Sequence, residues 1–434
     1  MKYAKLAPVV LGIVLGMSTT ACSIPEPAPT PPPTTPAATT GMITPRPDGT
    51  TDLSDGLKAQ NVAVAPVDDA FTTAIADYSV NLFRQVATGQ DNYLTSPLSA
   101  ELALAMTANG AGGETLAQMV RTIAPGLTLD QINAILPVYV NNLPSTDAAK
   151  FHLANSIWYN SGTGVNIQRD FLQTNANTYQ AGTYASPFDD TGRQAINAWV
   201  KDNTDGMIPS MLDKLEPTSA VVLLNALAFD AQWAEQYGDS SIHDGKFTDA
   251  TGKQTTAKFM SSKEYGYLDD GLATGFTKSY ENGPYEFVAL LPNAGVSMAD
   301  YLASLTADRW IKTLQSGTGP VYANLPQFSF DYSASLKDPL KAMGMTDAFD
   351  ASAADFAAMG TSNKQPLYVD DVIQKTYIEV TPVGTRAGAG TAVVMGPGAA
   401  PGVPPTVTLD RPFIFGIVDS ATQLPLFLGV LNQI

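Results

Sequence analysis

The chain has very few of the side chains that most enzymes use for catalysis or metal binding. Its 434 residues include one cysteine, Cys22, and two histidines, His152 and His243. A single cysteine excludes an internal disulfide, so the fold must be stabilised by packing. His152 lies in the strand-like segment FHLANSIW and is interpreted as structural, and His243 has no His or Cys companion at a metal-ligand spacing. We therefore expect neither a metal nor a cofactor.

The short motifs of common enzyme classes are also missing. The sequence contains no G-x-S-x-G elbow, no P-loop, no H-E-x-x-H and no G-x-G-x-x-G after a strand. A catalytic triad can be assembled from scattered residues, so a hydrolase remains the alternative. We predict that the chain is not an enzyme.

Basic residues are scarce relative to acidic ones. The chain has 24 Lys and Arg against 41 Asp and Glu, which gives a formal net charge of -17. Nucleic acids and anionic membrane surfaces are bound mainly through basic side chains, so both are excluded as partners of the folded part. With 44% hydrophobic residues the chain has enough apolar material for a large core. We expect a monomer whose partner is a neutral or basic protein.

The first 22 residues have the pattern of an export signal. Lys2 and Lys5 precede an apolar run over residues 6–17, and Ala21 precedes Cys22. The run is too short to span a bilayer as a permanent helix. Cys22 stands where a bacterial lipoprotein signal places the residue that is acylated. We expect an exported protein, held at the outer face of the cell membrane by this lipid anchor alone; ordinary secretion is the alternative.

The remaining sequence divides into a tether and one large domain. Residues 23–60 are rich in Pro and Thr and lack apolar periodicity, which predicts a disordered, semi-stiff tether. From residue 61 to residue 434, helix and strand patterns intermix, which favours one α+β domain. We predict a helix over 67–87 capped by Asp68, and a second helix that begins at Pro97 after the cap Ser96. Strands are predicted at 220–229, 287–291, 322–330, 378–380 and 413–418.

Several ordered blocks from residue 67 to the C-terminus resemble the serpin family. They read YLTSPLS at 93–99, INAWV at 196–200, LNALAF at 224–229 with Trp233 after it, LPQF at 325–328, DRPF at 410–413 and LFLG at 426–429. With the export signal and Cys22, the chain resembles a bacterial lipoprotein-type serpin. The resemblance implies the serpin fold, with three β-sheets, about eight to nine helices, and an exposed reactive-centre loop over about residues 382–410.

The resemblance also implies a set of structural residues that control how the main sheet opens. Ser96, Ser99 and Asn225 would form a hydrogen-bond cluster behind the central strands, and Trp233 would lie under the top of the sheet. Gln374 stands where the family usually has a histidine. Because an amide does not titrate near neutral pH, we do not expect pH-sensitive opening at this cluster.

The proposed reactive loop begins with a hinge of small residues: Gly384, Thr385, Arg386, Ala387, Gly388, Ala389, Gly390 and Thr391. Read as a strand, one face of this stretch carries only small or apolar side chains, from Thr385 to Met395, and is suited to burial. No proline occurs over 384–396, whereas Pro397 begins a proline-rich stretch. Since proline cannot donate to a central ladder, insertion would end near Gly396.

The bait that follows the hinge is uncharged. The candidates for the scissile bond are Met395, Gly398, Ala399 and Ala400, and no Lys or Arg occurs between Met395 and Asp410. We therefore expect a suicide inhibitor of an elastase-like or subtilisin-like serine protease rather than a trypsin-like one. Pro382 and Arg386 replace glutamates that inhibitory members often carry, so a non-inhibitory surface binding protein with the serpin fold is the alternative.

Overall fold

The computed structural model describes residues 45–147, 149–179, 181–385 and 403–434. Its helices are α1 Asp69–Val86, α2 Pro97–Ala108, α3 Gly113–Ile123, α4 Leu129–Asn142, α5 Arg169–Thr178, α6 Asp190–Asn203, α7 Met298–Ser304, α8 Ala307–Gln315 and α9 Lys337–Ala342. No helix in these ranges is both long and apolar enough to cross a membrane.

The strands are interspersed with helices up to residue 203 and mostly follow one another after it. They are β1 Thr51–Asp52, β2 Tyr93–Thr95, β3 Ala149–Asn160, β4 Val165–Ile167, β5 Gly182–Ser186, β6 Val221–Gln232, β7 Ile242–Thr248, β8 Gln254–Glu264, β9 Gly266–Asp269, β10 Ala273–Ser279, β11 Tyr285–Pro292, β12 Val321–Pro326, β13 Phe328–Ser335, β14 Gly360–Ser362, β15 Val369–Val380, β16 Gly384–Thr385, β17 Thr406–Thr408, β18 Phe413–Asp419 and β19 Pro425–Leu431.

The first two helices begin where their capping residues predict. The Asp68 carboxylate accepts a hydrogen bond from the Phe71 N–H, and the Ser96 hydroxyl accepts one from Ser99 N–H at the start of α2. Both predicted helices are therefore confirmed. Every residue of α2 is buried, because this helix runs through the core behind the largest sheet.

The largest sheet has seven strands in the order β1-β5-β3-β6-β16-β15-β13. Its central strand β6 is the apolar run predicted at 220–229, and it is buried on both faces. Val222 and Leu224 pack with side chains of α6 on one face, while Leu223 belongs to the core formed with α2 on the other. This double burial explains why the run does not alternate between apolar and polar residues.

Two further sheets complete the body of the domain. One has six strands in the order β2-β19-β18-β11-β10-β9, and the other has four in the order β17-β12-β8-β7. A small ladder of β14 with β4 adds a fourth sheet to the three that the resemblance implied. The prediction of a single strand over 322–330 is wrong in one respect. The chain leaves the four-stranded sheet after Pro326 and enters the seven-stranded sheet at Phe328.

The end of the predicted tether differs from expectation, because residues 45–60 lie against the domain. Thr51 and Asp52 pair with β5 at the edge of the seven-stranded sheet, and the Thr50 hydroxyl lies 3.1 Å from that of Ser186. An unpaired sheet edge offers backbone donors and acceptors to any extended chain beside it, which composition does not reveal. Residues 23–44 and Cys22 lie outside the described residues, so the rest of the tether stays a prediction.

An acidic side chain is buried in the middle of α2. Glu101 is fully buried, and neither carboxylate oxygen has a hydrogen-bond partner among the described residues. The hydroxyls of Tyr78 and Tyr139 are likewise buried without a partner in these ranges. Burial raises the pKa of Glu101 well above its usual value. The native state therefore favours a neutral Glu101.

The buried carboxyl group predicts a loss of stability with rising pH. The unfolded chain releases the Glu101 proton at about pH 4.3, whereas the native state keeps it to a higher pH. Between the two pKa values, wild type should lose about 1.4 kcal/mol of unfolding free energy per pH unit relative to Glu101→Gln. Urea unfolding at several pH values from 4 to 9 measures this difference. Glu235→Gln, at an exposed carboxylate, is the control, and parallel curves for wild type and Glu101→Gln would refute the prediction.

Candidate functional site

The two central strands β6 and β15 are paired at one end and separated at the other. Their parallel ladder runs from Val221 opposite Val369 to Ala226 opposite Lys375. Beyond it, within the described residues, no ladder pair joins residues 227–230 of β6 to residues 376–379 of β15. The two strand edges therefore face a slot in the middle of the sheet, where a further strand could satisfy their backbone groups.

The first two residues of the predicted hinge occupy the mouth of this slot. In β16, Gly384 pairs with Gln232 and Thr385 pairs with Ala231, both antiparallel to β6. Thr385 also pairs with Val380 of β15. The hinge therefore begins as a new central strand between β6 and β15. Arg386 to Thr391, and the scissile-bond candidates Met395, Gly398, Ala399 and Ala400, lie outside the described residues.

The hinge residues are held tightly by their surroundings. Thr385 is only 2% exposed, and its Oγ1 lies 2.5 Å from the hydroxyl oxygen of Tyr280. A Cβ atom at Gly384 would lie 2.1 Å from the carbonyl oxygen of Ala231, so only glycine fits there. Burial raises the pKa of Tyr280, which keeps its hydroxyl protonated and able to donate. A small residue is thus required at 384 and a small polar one is accommodated at 385.

Trp233 supports the turn that leads into the hinge. Its indole N–H donates to the carbonyl of Thr381 at 2.9 Å, and its backbone N–H donates to the carbonyl of Val383 at 2.9 Å. The indole stacks on Tyr280 with 4.6 Å between ring centroids. The Lys278 ammonium lies 5.6 Å from the indole centroid and pairs with Glu264 at 2.8 Å. One cluster of side chains thus fixes both the turn and Thr385.

The lower part of the site is a hydrogen-bond cluster centred on Gln374. Its side-chain N–H groups donate to the Ser96 carbonyl and to Asn225 Oδ1, both at 2.8 Å. Its carbonyl oxygen accepts from the Ser96 N–H at 3.0 Å and from the Thr95 hydroxyl at 2.7 Å. All four hydrogen-bonding positions of this buried amide are therefore filled. The cluster joins α2 to β6 and β15 at the register pair Gln374–Asn225.

Gln374 hydrogen-bonds directly to Ser96 and to Asn225, and Ser99 lies at the margin of this cluster. The Ser99 hydroxyl donates to Asn155 Oδ1 at 3.4 Å, and its N–H donates to Ser96 Oγ at 3.4 Å. Trp233 is not part of this cluster and lies at the other end of β6, beside the hinge.

Three residues of the site were missed by sequence reasoning. Thr95 lies within the block YLTSPLS and Asn155 within the segment FHLANSIW, and their polar side chains were the available signals. Tyr280 carried no such signal, because its contact with Thr385 depends on how two sheets pack together.

The two histidines lie on different sheets. His152, on β3, is 3.5 Å from Asp205 Oδ2, and His243, on β7, is 3.4 Å from the Ser261 hydroxyl. In the described ranges, no group of three or more His, Cys, Asp or Glu side chains is placed to hold a metal ion. The main feature of the site is the seven-stranded sheet itself, whose two central strands are paired only up to Ala226 and Lys375.

Comparisons with known proteins agree with this architecture. A family model described as Serpin (serine protease inhibitor) matches residues 73–434. The leukocyte elastase inhibitor of Bos taurus is 29% identical over 79% of this chain and 93% of its own length. An uncharacterized serpin-like protein of Thermococcus kodakarensis is 28% identical over 82% of this chain and 84% of its own length.

Solved structures show the same fold and distinguish two of its states. The native state of tengpin, a thermophilic serpin, superposes with a TM-score of 0.86 at 39% identity, covering 89% of this chain and 100% of that one. The latent state of tengpin gives a TM-score of 0.75 at 36% identity, covering 87% and 100%. Matched over most of its length by sequence and by structure, the chain belongs to the serpin family and has the serpin fold.

Proposed function

We propose that this serpin is a suicide-type inhibitor of a serine protease and acts by inserting its cleaved loop into the seven-stranded sheet. The observation that supports this most directly is β16, which already stands between β6 and β15 at the mouth of an open slot. The chain is also more similar to the native state of tengpin than to its latent state.

The proposed reaction uses the catalytic chemistry of the protease and the mechanics of the sheet. The protease serine attacks the scissile carbonyl of the loop, the peptide bond breaks, and an ester joins the protease to the new C-terminus. The chain after Thr385 then extends antiparallel to β6. Each backbone hydrogen bond gained contributes about 0.5–1.5 kcal/mol net, so a dozen contribute on the order of 10 kcal/mol. Insertion carries the bound protease along the sheet and distorts it before the ester is hydrolysed.

The Gln374 cluster is the barrier that this insertion must cross. The slot is open as far as Ala226 and Lys375, and the next pair below is Asn225 with Gln374. A strand that inserts further must separate this pair and break the hydrogen bond between the two side chains. Because the amide does not titrate near neutral pH, the barrier is independent of pH in that range.

The turn before the hinge remains anchored without the glutamate that Pro382 replaces. The Pro382 carbonyl accepts a hydrogen bond from the Tyr237 N–H at 2.9 Å, and Trp233 holds the carbonyls on either side of it. Backbone contacts to buried aromatic residues thus position the hinge. The replacement of this glutamate by Pro382 therefore does not by itself count against the inhibitory function.

The proposed target is an elastase-like or subtilisin-like protease. The loop has no Lys or Arg between Met395 and Asp410, and one relative is a leukocyte elastase inhibitor. The serpin would act as a monomer. The proposed place of action is the outer face of the cell membrane, through a lipid on Cys22, or the surrounding medium if Cys22 is removed.

A cleaved sample should be much more stable than the intact one. If the loop inserts after cleavage within 395–400, about 10 kcal/mol of added hydrogen bonding should raise the melting temperature by about 10 °C or more. Intact and nicked samples are compared by calorimetry. Incubation with pancreatic elastase or subtilisin should also yield an SDS-resistant complex. A nick without a rise in melting temperature, and loop turnover without such a complex, would refute the proposal.

Substitution of the buried hinge threonine should convert the inhibitor into a substrate. Thr385→Arg would place an unpaired charge in the buried position that Thr385 already occupies in β16, so the strand enters the sheet less readily and insertion becomes slower than ester hydrolysis. The expected result is loop cleavage with at least a tenfold loss of stable complex. Thr385→Val, which keeps the shape, should still inhibit, and Thr361→Arg, at an exposed strand position, is the charge-matched control. Full inhibition by Thr385→Arg would contradict the mechanism.

Loss of the Gln374 amide should lower the barrier to uncleaved insertion. Gln374→Ala removes four hydrogen bonds and leaves buried groups unpaired, which should reduce the native unfolding free energy by about 1–3 kcal/mol. Inhibitory activity should then decay faster during incubation, while mass spectrometry shows an intact chain. Gln254→Ala, at an exposed position of β8, should behave as wild type. Equal decay rates for Gln374→Ala and wild type would show that the cluster is not the barrier.

A further inference from the structure

Two tyrosines are exposed on the four-stranded sheet and at the bend that joins its strand β8 to β9. Tyr265 is 68% exposed and Tyr322 is 44% exposed. In the described residues, the other large hydrophobic side chains with comparable exposure are aliphatic: Val62, Val64, Val403 and Ile434. Exposed tyrosines are typical of protein interfaces, where the ring contributes apolar area and the hydroxyl a hydrogen bond.

A lysine lies between these tyrosines. Tyr322 of β12 is the ladder partner of Lys263 of β8, so the two side chains stand next to each other on the same face. The Lys263 ammonium lies 5.4 Å from the centroid of the Tyr265 ring. No carboxylate of the described residues lies within ion-pair distance of Lys263. We call Tyr322, Lys263 and Tyr265 the aromatic row.

The polar side chains beside the row already satisfy one another. Asn324 donates to the Thr408 hydroxyl at 3.0 Å and accepts from the Ser261 hydroxyl at 2.7 Å. Ser261 in turn lies 3.4 Å from His243 Nδ1. These four residues form a hydrogen-bonded line across the sheet. The aromatic row next to them is therefore the part of this surface that remains available for contact with a partner.

The row lies where the reactive loop returns to the domain. The Tyr322 N–H donates to the Pro405 carbonyl at 2.9 Å, and Tyr322 pairs with Thr406 of β17. Val403, the first described residue after Thr385, is 92% exposed. The chain from Ala400 to Pro405 can span at most roughly 18 Å. A protease that holds a bond between Met395 and Ala400, being a far larger body, must come close to the row.

We propose that the aromatic row is a docking surface for the body of the target protease, on the C-terminal side of the scissile bond. This inference rests on the proposed inhibitory function and specifies its partner. The partner surface would present apolar groups to Tyr265 and Tyr322, and a carboxylate or carbonyl oxygens to Lys263. Because the chain is strongly acidic overall, Lys263 selects a local acidic group on a protease that is otherwise neutral or basic.

The test compares the rate of complex formation with its outcome. In the full chain, Tyr265→Ala/Tyr322→Ala should lower the second-order rate constant for SDS-resistant complex formation with pancreatic elastase or subtilisin at least tenfold. The amount of protease trapped per inhibitor should not change, because the loop and hinge are untouched. Lys263→Ala should lower the rate less and weaken its dependence on salt. Tyr265→Ala alone, outside the strand ladder, should show a partial loss.

The control is Val62→Ala/Val64→Ala, which removes exposed apolar groups from the N-terminal segment and should leave the rate unchanged. If wild type forms the complex and the double tyrosine variant, with an unchanged melting temperature, forms it equally fast, the docking surface is refuted and the inhibitory function stands. If wild type forms no complex with either enzyme, the inhibitory function itself fails, and the docking inference fails with it.

Discussion

The state of this molecule depends on how far the parallel ladder between β6 and β15 extends. Below Ala226 and Lys375 the strands are joined, and above them they are separated. A fully closed sheet would leave no room for the hinge, whereas in the proposed mechanism a fully open one would accept the loop before any protease had cut it. The observed structure lies between these limits, and the side chains around the junction determine where the opening stops.

Two groups of side chains act on this junction from opposite ends, and both are supplied by elements outside the seven-stranded sheet. At the closed end, α2 contributes the backbone groups of Ser96 that fill the Gln374 amide. At the open end, Tyr280 follows a strand of the six-stranded sheet and contacts Thr385. The central sheet is therefore controlled by the elements behind it. In the proposed mechanism, the burial that stabilises the core also sets the barrier to insertion.

The parts of this arrangement that the sequence predicts are those written in local patterns. The caps Asp68 and Ser96 mark the two helices, and the unbroken apolar run at 220–229 marks the doubly buried strand. Gln374 was identified because it occupies a known place in the serpin family. Contacts between distant elements were not predictable, since the Tyr280–Thr385 contact, the pairing of β1 with β5, and the change of sheet at Gln327 each depend on three-dimensional packing.

The close approach of the Ala231 carbonyl to Gly384 makes the point where the strand enters the sheet independent of the sequence around the scissile bond. Because this contact is made by backbone atoms, the point at which the loop enters the sheet is independent of the residues that follow. Under the proposed function, a different sequence placed after residue 396 would offer a different scissile bond while the strand still entered the sheet in the same register. Redirection toward another protease would then require the exchange of only a short segment.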